Sequence, residues 1–286
     1  MIGALRLRLA HFAAVLLLAG AMAVPRASAQ NPDTMMPEAS ASKAKQILAQ
    51  MLDAMGGQNY FHVRESQCTG RKSEFGHNND VTTYLEFKEY WRYPDSYRID
   101  LGKKGNIIDS FSGKEGWTVD HDGVSEESAD KVDEFQDRMA KDPGHLLRYR
   151  LKEEGMAYRY GGTDLIDLRP VDWVELVDRE QRTYRIAVQR DNHLMVRFVV
   201  IIRDAASGEQ VEETTSYANY HVIDGVATAL QVARTRYGRR MLQAFYESCT
   251  YNPNLAPNFF TKAALEQRFQ EVGSRADKKK AGKTRD

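Results

Sequence analysis

Between Tyr84 and Asp120 the chain runs as short aromatic-rich strands separated by turn residues, and this stretch restricts the fold more than any other. Leu85, Phe87, Trp91 and Tyr93 alternate with Glu86, Lys88 and Arg92, the period-two pattern of a strand with one dry face and one wet face. After Pro94-Asp95 the pattern resumes in Tyr97, Ile99 and Leu101, with Arg98 and Asp100 facing out, and after Gly116 it resumes in Trp117 and Val119. Large apolar side chains on one sheet face imply a hydrophobic interior, packed or hollow, rather than a polar active site.

The rest of the chain extends this sheet. Strands are expected near residues 62–69, 81–93, 96–101, 106–112 and 116–120, and again near 157–161, 164–168, 172–178, 182–189, 193–204, 210–221, 226–236 and 240–251. Asp191-Asn192, Ser207-Gly208 and Asp224-Gly225 supply hairpin chemistry, so neighbouring strands should pair antiparallel. Ala44, Ile47, Leu48, Met51, Leu52 and Met55 recur at helical spacing between a cap at Ser42 and a stop at Gly56-Gly57. The charged stretch from Ser125 to Leu151 carries Val132, Phe135 and Met139 on one face, breaks at Asp142-Pro143-Gly144, and resumes with Leu146 and Leu147. It reads as two short helices inserted among strands. The fold class expected is α+β: a large, curled, mostly antiparallel sheet, a half-open β-barrel, with helices covering one side.

Arg6 and Arg8, the apolar run from Phe12 to Val24 and Ala27-Ser28-Ala29 form an export signal with cleavage after Ala29, which predicts a periplasmic protein. A polar leader over 30–41, one domain over 42–266 and a charged tail over 267–286 complete the division. The 286 residues carry 40 Lys and Arg against 40 Asp and Glu; losing Arg6, Arg8 and Arg26 leaves a small acidic excess, which argues against a nucleic-acid partner. A monomer is expected. Cys68 ends the first strand-like segment and Cys249 lies in the last. If the sheet curls until its ends meet they form a disulfide; otherwise they are two separate buried thiols.

Catalytic patterns are missing: there is no His-Glu-x-x-His, Gly-x-Ser-x-Gly or phosphate-binding loop. His121, between Asp120 and Asp122 ahead of Gly123, fits a tight turn better than a cation site. Glu126-Glu127 and Glu212-Glu213 read as solvated surface. No enzyme, no metal and no cofactor are therefore expected, with an unrecognised hydrolase as the third-ranked alternative.

The order of several soft motifs resembles the LolA/LolB family of periplasmic lipoprotein carriers and its lipoprotein-sorting-like relatives. These are Trp91-Arg92-Tyr93-Pro94 with the step to Tyr97, Gly113-Lys114-x-x-Trp117, Tyr220-x-x-x-Asp224-Gly225-Val226, and Tyr251-Asn252-Pro253 followed by Phe259-Phe260. The resemblance covers roughly residues 43–262. It implies a half-open barrel whose cavity holds the acyl chains of a lipoprotein or lipid, exchanged with membrane-associated donor or acceptor proteins. Carried over by position, the cavity wall is Leu85, Phe87, Trp91, Tyr93, Tyr97, Ile99 and Trp117, and the lid is Phe135, Met139, Leu146 and Leu147. Where the carriers place an arginine immediately before the proline, this chain has Tyr93, and Arg92 one residue earlier faces the other way. A sensor or scaffold using the same fold for protein recognition, its aromatics serving as packed core, is the alternative.

Overall fold

The structure, a computed structural model, describes residues 32–203 and 208–271; the expected export signal lies outside the described residues. Helix α1 (Pro37–Ala54) and the short α2 (Gln58–His62) precede six strands: β1 (Glu65–Phe75), β2 (Val81–Arg92), β3 (Ser96–Leu101), β4 (Ile107–Ser112), β5 (Glu115–Val119) and β6 (Val124–Glu126). Helix α3 (Ala129–Lys141) and α4 (Pro143–His145, continued by a wide turn over Leu146–Arg150) follow. Seven further strands complete the sheet: β7 (Ala157–Ile166), β8 (Arg169–Val177), β9 (Thr183–Gln189), β10 (Met195–Arg203), β11 (Gln210–Ile223), β12 (Val226–Arg236) and β13 (Arg239–Tyr251). A last helix, α5, spans residues 262–271.

All thirteen strands belong to one sheet, in the order β6-β5-β4-β3-β2-β1-β13-β12-β11-β10-β9-β8-β7. Every neighbouring pair is antiparallel. The sheet is curled and does not close. This order explains the helical cover. β6 and β7 are consecutive in the chain but lie at opposite edges, so the segment joining them must cross a face of the sheet, and α3–α4 is that crossing. The first and last strands meet in the middle, where Cys68 lies opposite Cys249 and the two form a disulfide.

Two hydrophobic clusters occupy the concave face. In the larger, Ala44, Leu48 and Met51 of α1 pack on Tyr160, Val174, Leu176, Tyr184, Ile186 and Phe198 of β7–β10. Burial of each large apolar side chain there contributes about 1.5–3 kcal/mol. In the smaller, Phe135 and Met139 of α3 pack on Phe87, Tyr97, Ile99, Phe111 and Ala244. The C-terminus of α1 presses on the β11–β12 hairpin, where a Cβ at Gly56 would meet the Gly225 carbonyl oxygen at 2.5 Å.

Several boundaries differ from the sequence expectation. α1 starts at Pro37, inside the stretch read as a leader, because proline suits a first helical turn. Ser40, buried within α1, accepts a hydrogen bond from the Tyr160 amide at 2.9 Å. The strands expected at 157–161 and 164–168 are one, β7, with an irregularity between Tyr160 and Gly162 rather than a break. α5 runs into the expected tail and packs on the convex face, so the helices do not all lie on one side.

Candidate ligand site on the concave face

The wall residues expected from β2 and β3 do share one face. Phe87, Tyr97 and Ile99 are buried in the α3 cluster, and Leu85, Trp91, Leu101, Leu242 and Tyr246 border it while remaining half-exposed. The Trp91 ring lies 4.5 Å from Tyr97 and 5.9 Å from Tyr93, stacked on the latter. Phe135 of α3 stacks on Phe111 at 4.6 Å.

Trp117 requires a correction: it lies on the convex face with Ile108, Val119 and Leu265 of α5. Trp117 pairs with Ser110, whose hydroxyl donates to the Phe260 carbonyl, while the adjacent Phe111 points at α3. Alternation shows that Trp117 and Val119 share a face but not which side of the sheet it is, and a helix packs on each side here. Leu146 and Leu147 also separate from Phe135 and Met139, because they join the α1 cluster. The helical crossing thus covers two different regions with its two halves.

The second half is anchored by two arginines. Arg150, buried, donates to the Ala140 carbonyl at 2.7 Å, to the Tyr184 hydroxyl at 2.9 Å and to Asp178 at 3.0 Å. Asp178 also accepts from Arg182 at 2.6 Å and from Tyr184 at 2.9 Å. Burial pushes its carboxyl up, but these hydrogen bonds outweigh it and hold the group below the usual aspartate range. Arg148 lies 3.9 Å from the Tyr60 ring centre and 4.6 Å from that of Tyr93, and donates to the Tyr60 hydroxyl and the Gly144 carbonyl at 3.1 Å. Burial pushes the Tyr60 hydroxyl up to about 12, against the nearby Arg148 charge.

This clasp reverses the arrangement implied by the family resemblance, since the strand supplies an aromatic ring and the helical cover supplies the cation. Arg92 has a different task on the convex face. It binds Glu65 at 2.7 Å and the carbonyls of Leu255, Ala256 and Pro257, tying down the segment that leads into α5. No local pattern marks Arg148, which sits in an unremarkable run of basic and aromatic residues.

Polar groups also enter the concave face. Glu89 falls between Phe87 and Trp91 on β2, opposite Cys68 and Ile99. Burial pushes its carboxyl up, opposed by hydrogen bonds with Tyr246 and Trp91 and by the Arg234 charge. Arg234 of β12 lies opposite Leu242 and Thr215. It is exposed, and although partial loss of hydration works against its charge, the nearby Tyr217, Tyr246, Asp142 and Tyr97 outweigh that and hold the guanidinium above its usual range. The period-two pattern contained Glu89, but its neighbours drew attention away from it.

Two polar grooves flank this region. One of about 960 Å³ is lined by Asp137 and Lys141 of α3 with Arg182, Thr183 and Ile201, and one of about 410 Å³ by His145, Arg150, Glu153 and Arg179. Neither opens on the aromatic wall. Asp120, His121 and Asp122 bring their ligand atoms within 4.8 Å, all exposed. The Asp120 carboxylate accepts the Asp122 amide at 2.8 Å, the geometry of an aspartate-initiated turn.

No protein-family model matches the chain, and no curated protein matches it in sequence. Solved structures do. A DUF1329 family protein from Desulfovibrio piger aligns over 79% of this chain and 99% of its own, with 13% identity and a TM-score of 0.57. A LolA superfamily protein from Nitrosomonas europaea aligns over 78% and 99%, with 14% identity and a TM-score of 0.50. A putative outer membrane lipoprotein-sorting protein domain from Vibrio parahaemolyticus aligns over 81% and 100%, with 14% identity and a TM-score of 0.50. Identities this low carry the architecture and nothing finer. The chain has the LolA-like fold, an unclosed antiparallel sheet curled beneath helices.

Proposed function

We propose that this chain is an exported carrier that holds an acyl chain of a lipid or lipoprotein against the middle of its concave face. One observation carries the reading: Leu85, Trp91, Leu101, Leu242 and Tyr246 point inward beside a packed aromatic cluster and remain half-exposed. Apolar surface left open between two docked helices is suited to a ligand rather than to completing a core. Leu85, Phe87, Trp91, Tyr93, Tyr97 and Ile99 form the wall, and Phe135, Met139, Leu146 and Leu147 belong to the cover that parts for loading. Each methylene buried would contribute about 0.8 kcal/mol. Catalysis plays no part in this reading. The Cys68–Cys249 disulfide suits an oxidising compartment such as the periplasm, where membrane-associated proteins would load and unload the carrier.

Native mass spectrometry of the protein recovered from the periplasm, followed by organic extraction, tests this. A co-purifying acylated species is expected. An empty protein that also ignores added fatty acids and phospholipids would overturn the carrier reading in favour of protein recognition.

A further inference from the structure

Positive charge borders the half-exposed aromatic wall. Three guanidinium groups lie there: Arg234 from β12, opposite Leu242 of the wall, Arg148 from the turn after α4, over the Tyr93 ring, and Arg138 from α3, 4.9 Å from the Tyr97 ring centre. Among the described residues none of the three has a carboxylate oxygen within 4.0 Å. Arg148 is occupied by two tyrosine rings, a hydroxyl and a carbonyl. Arg138 lies over the rings of Tyr97 and Phe135. Among the described residues Arg234 has neither kind of partner.

The acidic groups nearby each hold a hydrogen bond of their own, and Asp142 and Glu89 act on Arg234 without contacting it. Asp142 accepts the His145 amide at 2.8 Å, Asp109 accepts the Thr118 hydroxyl at 3.2 Å, and Glu89 bonds with Tyr246 and Trp91. Burial also raises the cost of the Glu89 charge, which weakens it as a counter-ion. Arg234 is exposed, so water supplies the hydrogen bonds that no described residue gives its guanidinium. A ligand anion that displaced this water would pair a charge already in place, within a site whose remaining lining is largely aromatic.

We infer that Arg234, on the same sheet face as Tyr217, Leu242 and Tyr246, is a head-group subsite, and that the ligand of the concave face is an amphiphile with an acidic head, a carboxylate or a phosphate. This inference rests on the acyl-carrier reading and narrows it. The tail would lie along Phe87, Trp91 and Leu242, and the head would bind the guanidinium through charge-assisted hydrogen bonds.

Calorimetric titration with palmitate, monohexadecyl phosphate and hexadecanol separates head from tail, because the three share one chain length. At mildly alkaline pH at least one anion should bind about tenfold or more tightly than the alcohol, and the better of the two identifies the head-group class. Arg234→Gln should reduce that preference to about twofold or less, with hexadecanol affinity unchanged, and Arg234→Lys should restore part of it. Alcohol and anions binding equally to the unmodified protein would overturn the head-group subsite while leaving the acyl reading intact. Binding of none of the three would overturn both. If Arg234→Gln does not fold, the ratio measured on the unmodified protein decides the matter alone.

Discussion

The two parts of the concave face are built from the same kind of strand and end in different states. Over β7–β10, α1 seals the sheet so completely that Val174, Leu176, Tyr184 and Ile186 have no exposed surface. Over β1–β3 and β11–β13, equally large side chains such as Leu85, Trp91, Tyr217 and Leu242 stay half-exposed. The difference lies in the helices. α1 is eighteen residues long and brings Ala44, Ile47, Leu48 and Met51 to the sheet, whereas α3 buries only Phe135 and Met139. An amphipathic helix covers about as much sheet as its apolar stripe is wide, so alternation in a strand states that one face is dry without stating what dries it.

The largest effect expected is at the seam between these parts. The Cys68–Cys249 bridge spans 181 residues of sequence, and the chain-entropy model assigns such a loop about 5 kcal/mol. The double variant Cys68→Ser, Cys249→Ser should lose about that much in urea unfolding. A loss below about 1 kcal/mol would mean that the denatured chain gains little freedom when the bridge is absent.

Next comes the anchor that holds the cover to the sealed part. Asp178→Asn removes the buried carboxylate that Arg150 and Arg182 share and leaves Arg150 with the more exposed Glu153 at 3.0 Å, so the cost should fall near the low end for a broken buried pair, about 3 kcal/mol. Its pH signature has a definite sign. The folded-state carboxyl sits below its ordinary value, so the stabilisation is complete above about pH 4 and is lost as pH falls through the lower folded value. The variant should therefore lose stability at neutral pH and show a shallower acid limb than the unmodified protein. Parallel pH–stability curves for the two proteins would refute the coupling.

A like-for-like deletion compares the two parts directly. Leu176→Ala removes a side chain with no exposed surface and should cost about 3 kcal/mol. Leu85→Ala removes the same atoms from the half-exposed wall and should cost about 1 kcal/mol. Equal costs in denaturant unfolding would mean that the wall is core, and the distinction between sealed and open regions would fall.

Much of this arrangement is legible in sequence, for reasons particular residues make plain. The aromatic alternation from Leu85 to Ile99 places those side chains on one face because strand geometry admits nothing else, and Asp224-Gly225 forms its turn with both residues at positive φ. Trp117 was misplaced because alternation shows which side chains share a face and not which side of the sheet that face is on, and the helix that dries the outer side, α5, is far away in sequence. Arg234 and Glu89 escaped notice for the opposite reason. A single charge within an apolar alternation looks like noise until the sheet curls and encloses it. Arg148 could not be read at all, since its rings come from α2 and from the end of β2.

That clasp should give the smallest effect, and a local one. Cation–π contacts at partly exposed sites contribute about 0.5–2 kcal/mol, and Arg148 makes two, to Tyr60 and Tyr93. Arg148→Met keeps much of the stem's packing and removes the charge. Because Arg150 still anchors the chain two residues on, global stability should fall by about 1 kcal/mol or less, while amides of residues 143–148 lose protection in hydrogen exchange. Protection in α1 should change less, because Ala44, Leu48 and Met51 rest on β7–β10 and Arg148 reaches that cluster only through the rings of Tyr60 and Tyr93. If α1 loosens to the same degree, the cover and the sealed part form one cooperative unit, and the cover cannot part for a ligand without unfolding the core. Loosening confined to residues 143–148 would show that the cover opens independently, which loading an acyl chain requires.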